Sequence, residues 1–330
     1  MHMADALLSP AVGGTMLAVS AGVLACSLRD LRKNFQESRI PLMGVAGAFV
    51  FAAQMVNFAI PGTGSSGHIG GAVLLAALLG PSPAFLVMAG VLLIQALFFA
   101  DGGVLAWGCN LFNLGFFGCF LAYPYVFRPI AGKRMGRTRV FVASLAACIV
   151  SLELGAFAVT LETLLSGVTE LPFGAFVSVM LPIHLAIGFG EGLATGAVLL
   201  FVREHLPGAE SLRLEEKKFS VTRLSLVMGL AALLIGGGLS LLASGDPDGL
   251  EWSMAKTAGS AELERSGVVH SFFSGLADML VLLPDYAFPG SETPAGTVVA
   301  GIVGCLFCAL LLGVGGYLIC RRTAHRRAAK

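Results

Sequence analysis

Long runs of apolar residues without a charged side chain constrain this chain more than any other feature. A bilayer has a hydrocarbon core about 30 Å thick, so a helix needs roughly 20 apolar residues to cross it. Runs near that length recur along the 330 residues, and only 12% of the residues are charged, against about 25% in soluble domains. We therefore predict an all-α integral membrane protein and exclude a water-soluble globular fold.

Nine membrane spans are predicted from these runs, seven in a first block and two in a second. They lie near 8–28, 40–60, 66–80, 83–100, 104–127, 140–165, 173–202, 224–243 and 295–320. The run at 66–80 is the weakest, because its apolar part has barely half the required length and ends in a proline-rich turn. It either crosses the membrane or re-enters on the same side.

The basic residues predict the orientation in the membrane. Nineteen of the 21 lysines and arginines fall in four segments, which are 29–39, 128–139, 203–223 and the tail after Cys320. Basic residues in short loops stay in the cytoplasm, and with nine spans all four segments share one face if the N-terminus is outside. The C-terminus is then cytoplasmic. The outer face receives a short arm at 1–8, the loops 61–68 and 101–103, and the acidic stretch 244–294.

A composition change at 204–223, the most charged stretch, predicts a linker between a membrane domain at 1–203 and a second domain at 224–330. The outer stretch 244–294 is rich in Gly, Ser, Asp, Glu and Pro, and such composition predicts little structure unless the stretch packs on another part of the protein. Its acidic residues Asp246, Asp248 and Glu251 are expected either to be solvated or to collect ions weakly. The start of the chain has no basic leading region, so we expect no cleaved signal peptide.

Motifs for nucleotide and hydrolytic chemistry are missing from the sequence. There is no phosphate-binding loop, no Gly-x-Ser-x-Gly elbow and no His-Glu-x-x-His helix. The seven cysteines lie in or beside apolar runs and are predicted to be packing residues. The chain is therefore predicted to be no enzyme, with no catalytic residues and no bound cofactor.

The N-terminus offers an unusual set of metal ligands. The α-amine of Met1, the amide nitrogen of His2 and the imidazole Nδ1 of His2 can close two adjacent chelate rings in one plane. A second imidazole, from His68 on the same predicted face, completes a square of nitrogens. That geometry suits Ni(II) or Cu(II) better than tetrahedral zinc or the oxygen-binding Mg²⁺ and Ca²⁺.

Each histidine also has a simpler explanation. A histidine at position 2 can arise by chance, and His68 can be a turn residue at a helix entrance. The combination of both on one face favours the metal site. Ser66 in the same loop, and Asn110 near the outer end of its helix, are candidates for orienting the ligands.

His184 and Glu191 are polar residues seven apart in the seventh predicted span, hence on one helix face. Gly188, Gly192 and Gly196 accompany them at four-residue spacing. Such residues either hold helices together or form an ion path. The second possibility gives an alternative function, a self-sufficient carrier of divalent metal that uses the intramembrane pair His184 and Glu191.

Five segments together resemble the CbiM/NikM family, the substrate-binding membrane subunits of nickel and cobalt energy-coupling-factor (ECF) importers. They are 1–10, 62–68, 93–103, 108–113 and 184–192. Ala6 stands where the family usually has glycine. The resemblance implies metal ligands from the N-terminal amine, the second residue and a loop histidine, which map onto Met1, His2 and His68.

The segments 246–252 and 283–290 look like the small NikN/CbiN-like accessory subunit of the same systems, fused to the first domain. The resemblance implies a substrate-specific (S) component that works in a bacterial plasma membrane, or inner membrane, with a transmembrane scaffold (T component) and two cytoplasmic ATPases (A components). It implies no nucleic-acid partner. Such a fusion favours nickel, but the same nitrogens could hold cobalt, so both metals remain open.

Overall fold

The computed structural model describes residues 1–34, 40–132, 136–205, 221–260, 267–291 and 293–328. Helices dominate it, as predicted. They are α1 (Pro10–Asn34), α2 (Ile40–Gln54), α3 (Ala72–Leu79), α4 (Pro81–Phe98), α5 (Trp107–Leu111), α6 (Arg128–Ala131), α7 (Arg137–Ser166), α8 (Phe173–His205), α9 (Val221–Gly237), α10 (Gly249–Ala258), α11 (Val268–Leu280) and α12 (Pro294–Ala328). A π-helical stretch, Phe112–Phe127, joins α5 to α6. Most of the predicted linker at 204–223 lies outside the described residues.

Six helical segments of the described chain are long and apolar enough to cross a membrane, so the protein is a multi-pass membrane protein. They are Pro10–Lys33, Pro81–Phe98, Trp107–Ala131, Arg137–Ser166, Phe173–His205 and Pro294–Leu318. Two shorter apolar helices, α2 and α9, coincide with further predicted spans. At the weakest predicted span, α3 has only 8 residues, or about 12 Å of helix. It is too short to cross the bilayer alone.

Helices α7 and α8 pack closely along a row of glycines. A β-carbon on Gly188 would lie 3.0 Å from Ile149 Cα, and one on Gly192 would lie 2.6 Å from Leu145 Cα. Gly196 meets Phe141 in the same way, so the two helices are antiparallel. The expectation that these glycines permit close helix packing is confirmed.

The accessory helices α9 and α12 pack on α2 of the first block. Gly236 and Gly301 touch where α9 crosses α12, and a β-carbon on Gly304 would strike the ring of Phe51. Helix α2 is buried on all of its faces, as expected for a helix that is apolar all round. The accessory helices therefore complete the burial of an element of the first block.

The described residues of the stretch 244–294 do form helices, and they pack on the first block, which is the condition under which structure was expected. Helix α10 begins with a capping box, in which the Asp248 carboxylate accepts from the amides of Leu250 and Glu251. Leu250 and Met254 of α10 are buried, and Trp252 Nε1 donates to the carbonyl of Thr63 at 3.1 Å. The cap and the contacts with the first block stabilise this helix.

The segments that were predicted to share one face do meet at one end of the bundle. The N-terminal amine contacts both His68 and Asp248, and His2 contacts Asp101. The opposite end carries an exposed ion pair between Arg137, which begins α7, and Glu204 near the end of α8. The shared face is thereby confirmed, while the side of the membrane on which it lies stays a prediction.

Candidate metal centre

The N-terminal arm is buried in the bundle end. Met1 and Met3 are 4% and 0% exposed, and Leu7 and Leu8 are buried with them. The amide of Met3 donates to Asn110 Oδ1 at 2.7 Å, and Asn110 Nδ2 donates back to the Met3 carbonyl at 3.0 Å. Asn110 thus holds the backbone one residue beyond His2, which fixes where the first two residues lie.

A short hairpin delivers His68. Strands β1 (Phe58–Ile60) and β2 (Ser65–Gly67) pair in antiparallel register, and Gly62 and Gly64 supply the positive φ angles that the connecting turn requires. His68 follows β2 directly. The accessory segment adds to the hairpin, because the Ser66 amide donates to the Pro247 carbonyl at 2.8 Å. The Ser66 hydroxyl donates to the Asp246 carbonyl at 2.7 Å, so this side chain joins the two units.

The Met1 amine lies 3.2 Å from Nε2 of His68. Nδ1 of His68 faces the carbonyl oxygen of Ile69 at 3.2 Å; since a carbonyl can only accept, Nδ1 carries the proton and Nε2 keeps its lone pair. Burial, followed by the nearby Met1 ammonium, lowers the pKa of His68 to about 3. This imidazole is therefore neutral near pH 7 and available as a ligand.

His2 lies beside His68, with ring centroids 5.0 Å apart and planes only 10° from parallel. Nδ1 of His2 lies 2.8 Å from Oδ1 of Asp101. Nε2 of His2 is buried and has no hydrogen-bond partner among the described residues. The predicted chelate uses Nδ1, so this atom must leave Asp101 before it can bind a metal in that arrangement.

Two carboxylates at the centre were not in the predicted site. Asp101 accepts from His2 and also from the Tyr286 hydroxyl at 2.5 Å. Asp248 accepts from the Met1 amine at 2.5 Å, and its side chain is only 17% exposed. The expectation that Asp248 is solvated, or part of a weakly ion-collecting surface, is therefore wrong.

Both carboxylates stay ionised. Burial alone would raise the pKa of Asp248, but the Met1 ammonium that it faces brings the value well below its usual range. Burial opposes ionisation of Asp101 as well, and the adjacent His2 holds the pKa of that carboxyl well below its usual range. The centre therefore combines a cationic amine with two anions. Their position on the predicted outer face was the signal in the sequence, and it did not distinguish them from the other carboxylates there.

His184 and Glu191 share one face of α8 but do not form a pair with each other. Nδ1 of His184 faces the carbonyl of Met180 at 2.8 Å. Glu191 accepts from the amides of Gly70 and Gly71, each at 2.9 Å. Glu191 thus holds the segment that follows His68.

Two glutamines also hold the segment that follows His68 through hydrogen bonds. Gln54 Nε2 donates to the Gly70 carbonyl at 2.8 Å, and Gln95 Nε2 donates to Gln54 Oε1 at 2.9 Å. Together with Glu191, they satisfy backbone groups that would otherwise be costly inside a membrane protein. Glu191, Gln54 and Gln95 therefore position the segment that follows His68.

Within the described residues, no group of three or more His, Cys, Asp and Glu side chains is arranged to hold a metal ion. A ligand set that includes the terminal amine and a backbone nitrogen falls outside such groups. The candidate set of Met1, His2 and His68 has that character. It offers nitrogens with two carboxylates beside them, a donor set that suits a borderline transition metal.

Comparisons with known proteins agree with this architecture. Residues 2–208 match the family model described as the cobalt uptake substrate-specific transmembrane region, and residues 222–321 match the PDGLE domain. The Pro247–Glu251 segment spells the five residues for which that domain is named. The chain belongs to the family of cobalt uptake substrate-specific transmembrane regions and carries a PDGLE domain after it.

The relatives include fused proteins that match nearly the whole chain and shorter proteins that match part of it. The chain is 30% identical over 354 aligned positions to the fused nickel transport protein NikMN of Rhodobacter capsulatus, covering 99% of this chain and 100% of that protein. It is 31% identical over 215 positions to the cobalt transport protein CbiM of Sorangium cellulosum, covering 63% of this chain and 93% of the relative. A crystal structure of a truncated transition metal transporter superposes with a TM-score of 0.55 at 30% identity, covering 62% of this chain and 99% of the other.

Proposed function

We propose that the protein captures Ni(II), or Co(II), from outside the cell and is the S component of an ECF-type importer. The observation that carries the proposal is the convergence of the Met1 amine with the imidazoles of His2 and His68. As a membrane component of metal uptake it fits its family and its relatives. The division into two units is proposed to fall at 204–223.

The proposed binding step starts from the contacts in the centre. The metal takes the place of a proton on the Met1 amine, and this amine exchanges its contact with Asp248 for the ion. The proton that Nδ1 of His2 directs at Asp101 exchanges through solvent for a proton on Nε2. The imidazole then turns about its Cβ–Cγ bond, so that the unprotonated Nδ1 faces the amine. With the deprotonated amide of His2 and with Nε2 of His68, four nitrogens then surround the ion. Each displaced proton makes binding weaker in acid.

Release to the inside is proposed to need partner subunits. No phosphate-binding loop occurs in the sequence, so the free energy of ATP hydrolysis would come from the two A components through the T component. Uptake measured in cells with and without those ATPases tests this part. Uptake that persists without them would favour the self-sufficient carrier instead.

Isothermal titration of purified protein with an untagged N-terminus tests the binding site. His2→Ala, His68→Ala and an extension of a few residues before Met1 should each abolish tight Ni(II) binding, because each removes a nitrogen from the square. His205→Ala is the matched control, since His205 is an exposed histidine of α8. An extended protein that binds Ni(II) as tightly as the native chain would refute the proposed ligand set.

A further inference from the structure

His184 presents a buried nitrogen without a partner. Its Nδ1 faces the Met180 carbonyl at 2.8 Å and must donate to it, so Nε2 carries a free lone pair. The residue is 0% exposed, and Nε2 makes no hydrogen bond to any part of the chain that the structure describes. A buried polar atom in this condition is costly unless something binds it.

His68 is arranged in the same way. Its Nδ1 also faces a backbone carbonyl, that of Ile69, and its Nε2 points to the Met1 amine. An N–H held by a carbonyl is the usual device that fixes the tautomer and the ring orientation of a metal-binding histidine. Both imidazoles therefore present Nε2 with its lone pair available to a metal.

The two imidazoles line one cavity. Its volume is about 10 Å³, and its walls include Met1, His68, His184, Gly249, Leu114 and Leu152. That is room for about one water-sized particle. Gly249 closes the side next to His184, because a β-carbon there would lie 3.0 Å from Cε1 and 3.3 Å from Nε2 of His184.

We propose that Nε2 of His184 is a further nitrogen ligand to the transported ion, lying outside the plane of the other four, and that it sets the preference between Co(II) and Ni(II). The inference rests on the proposed function. Ni(II) in a square of four nitrogens gains little from an additional donor, whereas Co(II) accepts a fifth ligand readily. His184 therefore favours Co(II) more than it favours Ni(II).

The test compares Ni(II) and Co(II) affinities and the visible absorption spectrum of the Co(II) protein. In His184→Gln, the Co(II) affinity should fall by about tenfold or more, the Ni(II) affinity should change by less than about threefold, and the Co(II) absorption bands should shift. His205→Gln is the matched control, because Nδ1 of His205 also faces the carbonyl four residues earlier in α8, but the ring is exposed. It should change neither affinity nor spectrum.

A second variant keeps the test valid if His184→Gln does not fold. Gly249→Ala places a methyl group against the His184 ring and should reproduce the selective loss of Co(II) affinity. An unchanged Co(II) to Ni(II) ratio with an unchanged Co(II) spectrum would overturn the inference and leave the cavity as a site for water. Equal losses of both metals would also overturn it.

A third variant, His68→Gln, separates the role of His184 from the proposed metal centre as a whole. His68→Gln removes a nitrogen of the proposed square and should abolish tight binding of both metals. If it does so while His184→Gln leaves the ratio and spectrum unchanged, only the role of His184 is refuted. If His68→Gln binds both metals normally, the proposed centre itself is refuted.

Discussion

Burial gives the His68 imidazole an unusual titration. Its pKa in the folded protein is about 3, against about 6.5 for an exposed histidine. As pH falls below 6.5, the unfolded chain takes up a proton that the folded chain does not. Stability therefore decreases with acid over the window from pH 6.5 to 3, by up to about 1.4 kcal/mol per pH unit.

His68→Gln should remove this contribution. Thermal unfolding in detergent, measured from pH 6.5 to 4.5 with a chelator present, should show a shallower loss of stability for the variant than for the unsubstituted protein. His205→Gln should keep the original slope, because that ring is exposed. Parallel profiles for His68→Gln and the unsubstituted protein would show that His68 is not held neutral by burial.

Asp248 compensates the charge of the Met1 amine, which is buried with only 3% of its residue's side chain exposed. In Asp248→Asn, the amide can still cap α10, but the ammonium loses its counter-ion. We expect about 1–3 kcal/mol less stability in the presence of a chelator. Saturation with Ni(II) should reduce that difference, since a coordinated amine carries no positive charge of its own.

The matched control is Asp246→Asn, because Asp246 is exposed and, among the described residues, its carboxylate accepts a hydrogen bond only from the Ser244 hydroxyl. Thermal unfolding with and without Ni(II) gives the comparison. An equal loss of stability for Asp248→Asn under both conditions would contradict the exchange of Asp248 for metal at the amine.

At the scale of elements, α8 positions the segment after His68, because the Glu191 carboxylate accepts hydrogen bonds from its backbone amides. Glu191→Gln replaces one acceptor oxygen by an NH₂ group that cannot accept from Gly70 or Gly71. We expect a loss of about 1–3 kcal/mol of stability and weaker Ni(II) binding by calorimetry, because His68 loses its support. Glu153→Gln is the control, since burial is only partial there. Ni(II) affinity unchanged in Glu191→Gln would mean that the loop positions His68 without α8.

The row of glycines gives a matched pair within α8. Gly192→Ala would put a β-carbon 2.6 Å from Leu145 Cα, whereas Gly174 has nothing within 4 Å. The first variant should lower the thermal stability by forcing α7 and α8 apart, by about 1–3 kcal/mol. Gly174→Ala should be neutral or stabilising by up to about 1 kcal/mol. Equal midpoints for the two variants would contradict the close packing.

The helices and their common face were predictable, and the reasons are physical. A helix that crosses the hydrocarbon core needs about 20 apolar residues. Helices α1, α7 and α8 are therefore visible in the sequence as long apolar runs. The glycine row at four-residue spacing likewise indicates a face of α8 that packs closely on another helix. The hairpin before His68 and helix α10 were missed, because their stability comes from contacts between segments about 180 residues apart, such as Ser66 with Pro247.

For the whole molecule, the candidate ligands Met1, His2 and His68 could be proposed from residue types and topology. Their neighbours could not. Several carboxylates lie on the predicted outer face, and no local pattern indicates that Asp248 meets the amine while Asp101 meets His2. That selection depends on how the accessory unit packs on the first block. The role of His184 likewise depends on a cavity that only tertiary structure defines.

The two matched regions meet at the candidate metal centre. The first block contributes the amine and imidazoles, and the PDGLE segment contributes Asp248 and the wall at Gly249. The accessory unit is therefore part of the proposed centre, and coordination by the amino group of Met1 is the proposal on which the rest depends.

The most direct test of that claim is electron paramagnetic resonance of the Cu(II)-loaded protein, prepared with a native N-terminus and with ¹⁵N-labelled methionine. Cu(II) accepts the same square of nitrogens as Ni(II), and of the proposed ligand atoms only the Met1 amine carries the label. If the Met1 amine is a ligand, the nitrogen hyperfine pattern changes on labelling. A pattern identical to that of unlabelled protein, at one bound Cu(II) per chain, would contradict it.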